Sequence, residues 1–197
     1  MPEFRKEWFA KAKIDYFAPF VNLWLSCNAW YVYHYAEFGT KDRVLIDKVK
    51  SDYSKRNHIY KQFKVLIEGD AKENQIFKSN IQQLHYALND AMLSSDKLGI
   101  ISMESAVCDY NNKDDKTNLI KTPHLKKDGT VFESEKDDVL KLETLYIISD
   151  VEKVFAGLFE IIYQVRNCLI HGHMNPGDSE YEVVKYCYLI LYDLMSF

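Results

Sequence analysis

A run of 21 residues from Tyr16 to Ala36 contains no Asp, Glu, Lys or Arg, and it constrains the fold more than any other segment. This length is sufficient for a helix that spans a bilayer. However, eight aromatic side chains are spread along the whole run, whereas membrane spans concentrate aromatics at their two edges. We therefore favour a buried helix over a membrane span. A helix that is apolar on most sides lies either at the centre of a bundle or against a partner chain.

The low content of glycine and proline predicts a helical protein. The chain has 197 residues, of which 7 are Gly and 4 are Pro, and this is about half of their usual share. Tight turns depend on these two residues, so their shortage favours few, long elements. Hydrophobic residues make up 47% of the chain, which is enough to bury the core of one domain. We expect residues 1–197 to form a single domain.

The overall charge disfavours a protein that coats nucleic acid through bulk positive charge. The 25 Lys and Arg residues are outnumbered by 29 Asp and Glu residues, which gives a net charge of -4. A local site for one phosphate is still compatible with this balance, because it needs only one or two cations. The cysteines are far apart and no apolar leader follows Met1, so we expect free thiols and a cytoplasmic location.

Hydrophobic spacing and capping residues predict several helices in the first half of the chain. A short helix is expected at residues 3–14. The uncharged run is expected to continue as a helix to Phe38 and to end at Gly39. Two further helices are expected to begin at Thr40 and Ser54. The clearest apolar repeat, at i, i+4, i+7 and i+11, consists of Phe77, Ile81, Leu84 and Leu88.

Residues 95–134 interrupt the helical pattern and are predicted to form an insertion or loop region. The dipeptide Asp128-Gly129 is typical of a hairpin turn, so segments 100–103 and 130–132 could pair as short strands. A loop of this length is often functional or disordered, and the sequence does not distinguish between these alternatives. We expect the insertion to precede the last three helices.

Three capping boxes predict where those last three helices begin. The boxes pair Ser134 with Asp137, Ser149 with Glu152, and Ser179 with Glu182. The middle helix is expected to run from Asp150 to about His171, with Gly172 just beyond its end. The last helix is expected to bury an apolar repeat made of Val183, Cys187, Ile190 and Leu194.

The helix that ends near residue 171 carries the residue types of a phosphate site. At about 100° per residue, one polar strip contains Glu160, Gln164, Asn167 and His171. Arg166 lies at the edge of this strip. Arginine binds phosphate through two parallel hydrogen bonds, histidine can move a proton near neutral pH, and asparagine can orient either group. The same residue types are also common at the exposed end of an ordinary helix, so the alternative that they have no function stays open.

The pair His171 and His173 also has to be weighed as a metal site. A zinc site needs at least a third ligand, and no other histidine lies in a motif. We therefore predict no metal and no cofactor. His173 is expected to be a loop residue that assists substrate binding, and Glu160 and Gln164 are the other residues expected to contact substrate.

The hexapeptide Arg166-Asn167-Cys168-Leu169-Ile170-His171 resembles the R-x4-H motif of the HEPN superfamily, in which a polar residue often follows the arginine. In that family the motif lies near the end of a helix in a four- or five-helix bundle, and a last packing helix follows. The predicted helices around residue 171 have this arrangement. The insertion at residues 95–134 has no counterpart in the resemblance.

The resemblance implies an all-α bundle of HEPN type that acts as a homodimeric, metal-independent endoribonuclease in toxin-antitoxin systems or antiviral defence. His171 would perform acid-base chemistry on an RNA substrate, Arg166 would hold the phosphate and Asn167 would orient them. Two facing chains would place two histidines and two arginines in a shared cleft. A cognate antitoxin is a further candidate partner, and no membrane is involved. The alternatives are a non-catalytic nucleotide- or RNA-binding module and a structural helical scaffold.

Overall fold

The structure is a computed structural model that describes residues 15–95, 98–175 and 177–197. The helix predicted at residues 3–14 lies outside these ranges. The described residues form six α-helices, which are α1 (Phe17–His34), α2 (Asp42–Ser51), α3 (His58–Glu68), α4 (Lys72–Ala91), α5 (Val151–Ile170) and α6 (Asp178–Met195). None of these helices is long and apolar enough to cross a membrane.

The last helix, α6, makes the most extensive contacts with the other helices. It contacts α1, α3, α4 and α5, and its most extensive contact is with α4. The two apolar repeats predicted from the sequence are buried in these contacts. They comprise Phe77, Ile81, Leu84 and Leu88 on α4, and Val183, Cys187, Ile190 and Leu194 on α6.

The uncharged helix α1 buries one face and exposes the other. Its buried stripe contains Phe20, Trp24, Cys27 and Tyr31. On the opposite side Leu25 and Val32 are exposed, and Tyr33 is 81% exposed. Because one face of α1 is exposed, α1 is not enclosed at the centre of the bundle, and its contact with a partner chain stays a prediction. The helix ends at His34, and a 3-10 turn follows at Ala36–Phe38.

Two of the helices in the first half begin later than their expected capping residues. The helix α2 begins after Lys41 rather than after Thr40. The helix α3 begins after Asn57 rather than after Ser54, because the Asn57 side chain accepts a hydrogen bond from the backbone N of Tyr60 at 3.1 Å.

Small antiparallel sheets occupy the region between α4 and α5. Strands β1 (Ser94–Ser95) and β2 (Gly99–Ile100) pair with each other, and a second sheet has the order β3 (Ile120–Lys121), β5 (Tyr146–Ile148), β4 (Val139–Lys141). The predicted turn at Asp128-Gly129 is present, since Lys126 N donates to Thr130 O at 2.7 Å. The predicted pairing of segments 100–103 and 130–132 is wrong, because Ile100 pairs with Ser94 instead. The fold is therefore mostly helical rather than all-α.

The prediction of a helix that starts at Ser134 is wrong. The other two predicted helix starts agree with the structure to within one or two residues. The segment at Glu133–Asp138 forms a 3-10 turn and leads into β4. The backbone groups of β4 are satisfied by pairing with β5, so the chain continues as a strand and not as a helix. The helix α5 is capped by Asp150, whose side chain accepts a hydrogen bond from Lys153 N at 3.0 Å. The helix α6 follows Gly177 directly.

Candidate functional site

A pocket of about 390 Å³ lies where α5 ends. Its walls come from α2, α5, the loop after α5, and two residues of the region between α4 and α5, namely Ser95 and Tyr110. Five of the six predicted site residues line this pocket: Gln164, Arg166, Asn167, His171 and His173. Tertiary packing therefore brings most of the predicted polar strip into one concave site.

Arg166 lies in the wall of the pocket with its side chain 19% exposed. Its Nη1 donates a hydrogen bond to Asn167 Oδ1 at 2.8 Å. Its guanidinium carbon lies 5.6 Å from the ring centre of Trp24, in a cation-π arrangement. Its Nε is buried without a hydrogen-bond partner among the described residues. Asn167 and Trp24 together orient the guanidinium at the pocket.

Asp42 is an acidic pocket residue that the sequence patterns did not reveal. It begins α2, and its Oδ2 lies 3.7 Å from Arg166 Nη1. The hydroxyl of Tyr31 donates to Asp42 Oδ1 and accepts from the Asn28 amide. Burial, together with this bond to Asp42, raises the pKa of Tyr31. A phosphate on Arg166 would share the guanidinium with the Asp42 carboxylate or displace it.

Arg43, the next residue of α2, is a second pocket arginine that sequence reasoning missed. Its guanidinium carbon lies 4.0 Å from the ring centre of Tyr110 and 5.0 Å from that of Tyr163. Its Nη1 donates to Glu160 Oε1 at 2.8 Å and its Nη2 to Glu160 Oε2 at 2.6 Å. No motif surrounds Arg43 in the sequence, so only the packing of α2 on α5 shows its place.

Glu160 lies in a buried ion cluster and not in the lining of the pocket. Its side chain and that of Lys50 are each 2% exposed, and their charged groups are in direct contact. Gln164 Nε2 also donates to Glu160 Oε1 at 2.6 Å. Burial acts to raise the pKa of Glu160, but the hydrogen bonds and positive charges of Arg43 and Lys50 outweigh it and hold that pKa below its usual value. This placement favours a structural role for Glu160 over the predicted contact with substrate.

Lys50 extends the same cluster to the region between α4 and α5. Burial lowers the pKa of Lys50, and the nearby Glu160 carboxylate opposes this shift. Lys50 Nζ also donates to the backbone oxygen of Val107 at 3.2 Å. The cluster therefore joins α2, α5 and the predicted insertion below the pocket.

The two histidines of the site flank a turn that ends α5. His173 N donates to Cys168 O at 2.8 Å, Gly172 N donates to Leu169 O at 3.3 Å, and Gly172 has a φ of 72°. These two bonds and the left-handed glycine define a Schellman motif. The motif folds His173 back beside His171, so that their ring centres lie 6.2 Å apart.

The predicted insertion supplies one wall of the pocket because it packs closely on α5. A Cβ atom at Gly157 would lie 2.9 Å from Leu119 Cδ1 and 3.1 Å from Ala106 Cβ, so glycine is needed for this approach. The contact holds the segment that carries Tyr110 against the helix. Sequence reasoning assigned no role to this segment, because its contacts with α5 are far apart in the chain.

The described ranges 15–95, 98–175 and 177–197 contain no group of three or more His, Cys, Asp or Glu side chains that could hold a metal ion. Comparisons of the chain with protein-family models, curated proteins and solved structures give no match. Function must therefore be argued from the chemistry of the pocket, beside the resemblance carried by the residues from Arg166 to His171.

Proposed function

We propose that the protein is a metal-independent endoribonuclease of HEPN type, which cleaves RNA through attack by the RNA's own 2'-OH. The convergence of Arg166, Asn167 and His171 in one pocket carries this proposal. Arg166 holds the scissile phosphate, Asn167 orients the guanidinium, and His171 transfers a proton. In such a reaction, charge builds up on the phosphorus-bound oxygens in the transition state, and a fixed arginine stabilises that charge.

The charge distribution around the pocket is compatible with one phosphodiester as the ligand. Arg43 shares its charge with Glu160 and Asp47, and Arg166 lies near Asp42, so no large positive field extends from the site. Protonation of His171 or His173 adds local positive charge. A site of this kind binds one phosphate group locally, and it is compatible with the acidic net charge of -4.

The aromatic wall of the pocket supports single-stranded RNA rather than a duplex. Tyr110 is partly exposed and lies over the Arg43 guanidinium, and Tyr163 is a second ring within cation-π distance of the same group. Unpaired bases stack readily on aromatic rings and on guanidinium planes, whereas bases inside a duplex cannot reach them. We therefore propose an unpaired segment of RNA as the substrate.

A homodimer belongs to the proposal, and the exposed face of α1 is the surface we propose for it. The exposed residues Leu25, Val32 and Tyr33 carry no charge. A shallow depression between α1 and the end of α5 is lined by Phe17, Ala18, Val21, Asn22, Leu169 and Ile170. A second copy on this surface would lie close to the motif helix. The antitoxin partner, the defence role and the cytoplasmic location rest on the family resemblance alone.

The test is to incubate the full-length protein with single-stranded RNA in EDTA and to identify the new ends. We expect 2',3'-cyclic phosphate and 5'-hydroxyl ends, and no cleavage where a 2'-deoxynucleotide replaces the attacked position. Arg166→Ala is expected to lower the rate about 100- to 1,000-fold, as for the loss of one transition-state donor. Arg56→Ala and His124→Ala change exposed residues away from the pocket and serve as matched controls.

The same experiment separates the two other functional classes. Intact RNA that binds in an Arg166-dependent way would identify a nucleotide- or RNA-binding module in place of an enzyme. Intact RNA with no measurable binding would instead support the third class, a structural helical scaffold. Cleavage that persists in both Arg166→Ala and His171→Ala would contradict the proposed site.

A further inference from the structure

We propose that His173 is the second proton-transfer residue of this site, so that a single chain carries both the acid and the base. The inference rests on the proposed ribonuclease function. The family resemblance would assign the second proton-transfer residue to His171 of a partner chain, whereas this inference assigns it to His173 of the same chain. The structural basis is the placement of His171 and His173 in one pocket, beside Arg166 and Asn167.

The reaction needs two proton transfers. One neutral imidazole accepts the proton of the 2'-OH while the bond between the 2'-oxygen and phosphorus forms. One protonated imidazole donates its proton to the 5'-oxygen while the bond between phosphorus and the 5'-oxygen breaks. The products are a 2',3'-cyclic phosphate and a 5'-OH, and no electrons are exchanged with another molecule. The two histidines end with exchanged protonation states, which proton transfer with water restores.

The distance between the two rings fits this task. Their centres lie 6.2 Å apart and their planes are inclined by 41°. Each imidazole has to reach one oxygen of the same phosphodiester through a hydrogen bond of about 2.8 Å. Rings at this separation can contact a single phosphodiester together, whereas a histidine of a partner chain needs an interface to reach the same position.

The backbone holds the two histidines in a defined relation to the arginine. The Schellman motif ties His173 N to Cys168 O and Gly172 N to Leu169 O. It thereby anchors the residue after the helix to the last turn of α5, which also carries Arg166. A precise constellation is better maintained by such a motif than by an untethered loop.

The other ionisable groups that line the pocket are less suited to the second role. On α2, Asp42 is bonded to Tyr31 and lies near Arg166, and Arg43 is bound to Glu160. On α5, burial raises the pKa of Tyr163, which keeps its hydroxyl protonated near neutral pH. The remaining ionisable groups in the lining are Cys168 and Tyr110. Of all the ionisable groups that line the pocket, only the two histidines are of a type that commonly exchanges protons near neutral pH.

The first test compares His173→Gln with His171→Gln, because glutamine keeps a polar side chain of similar length but cannot transfer the proton. We expect each variant to lower kcat at least about 100-fold, since general acid or base catalysis commonly contributes this much. The KM for RNA should change little. Wild-type cleavage should have a bell-shaped pH profile, and each variant should lose one limb of it. His124→Gln is the control for an exposed histidine, and it should behave as wild type.

The outcomes distinguish this inference from the function on which it rests. If His173→Gln retains the rate and the bell-shaped profile while His171→Gln and Arg166→Ala are inactive, the inference is overturned and the ribonuclease proposal stands. If the wild-type protein leaves RNA intact, both fail. Equal thermal midpoints of the variants and the wild type confirm that each variant is folded.

A mixing experiment tests whether the pair lies within one chain. If the pair formed across a dimer, mixed chains of His171→Gln and His173→Gln would rebuild one intact pair per heterodimer, and activity would return. With both histidines in one chain, no mixture restores cleavage. Recovery of activity on mixing would therefore overturn the inference, and a monomeric fraction that cleaves RNA would support it.

Discussion

The polar strip of α5 has two halves that share the same helical spacing but differ in burial. Glu160 and Gln164 are buried, and of these two only Gln164 reaches the lining of the pocket. Arg166, Asn167 and His171 are more exposed and all line the pocket. The difference arises from what packs on each turn of the helix. In the buried half, Glu160 accepts hydrogen bonds from Arg43, Lys50 and Gln164. The second half is more exposed and is therefore accessible to a ligand. Residue type and periodicity alone therefore do not separate a structural cluster from a binding site.

The largest effect on the free energy of unfolding is expected when the buried carboxylate of Glu160 is removed. Glu160→Gln would leave the buried Lys50 and the partly exposed Arg43 with one negative charge fewer beside them. The removal of one partner from a buried ion pair typically lowers the free energy of unfolding by about 3–5 kcal/mol. Chemical denaturation should show this loss, while Glu152→Gln on the exposed part of α5 should stay within about 0.5 kcal/mol of wild type. A stable Glu160→Gln variant would contradict the structural role of the cluster.

The second prediction concerns the pH dependence of the same cluster. The pKa of Glu160 is lower in the folded protein than its usual value, so its contribution to stability is complete above the unfolded-state pKa. This contribution is lost as the pH falls through the folded-state pKa. The difference in unfolding free energy between wild type and Glu160→Gln should therefore shrink under acid conditions. Denaturation curves measured between neutral pH and acid test this, and a constant difference would contradict it.

The helices were predictable where a regular apolar repeat is buried. The repeat from Val183 to Leu194 is buried as its spacing indicates, because α6 packs against four other helices. The segment after Ser134 was not predictable in this way. Its capping-box pattern is also compatible with a 3-10 turn, and β5 pairs with Ile120 and Lys121 from a distant part of the chain.

The candidate site was predictable only in the part that one helix carries. Arg166, Asn167 and His171 follow from spacing and from the motif they form. Arg43 is 117 residues away from Glu160 in the sequence, so its contact with Glu160 depends on tertiary packing and leaves no local pattern. The same reason explains why the burial of Glu160 could not be inferred from its place in the polar strip.

A smaller effect is expected in the exposed half of the strip. Asn167→Ala removes the acceptor that holds Arg166 Nη1 at 2.8 Å. If the guanidinium is then less well oriented, RNA cleavage should fall about tenfold, which corresponds to about 1.4 kcal/mol of transition-state stabilisation. The unfolding free energy should change much less than in Glu160→Gln. Loss of stability without loss of cleavage would place Asn167 in the structural half of the strip.

The smallest effect is expected at Gly172, where the backbone alone is changed. Gly172 and Gly129 both adopt positive φ, of 72° and 81°, and a Cβ atom at either position has nothing within 4 Å. Alanine at each should therefore cost about 1 kcal/mol of stability for the same conformational reason. Only Gly172→Ala alters the turn between His171 and His173, so only this variant should also reduce RNA cleavage, by several-fold. Equal cleavage by the two variants would show that the geometry of this turn does not control the site.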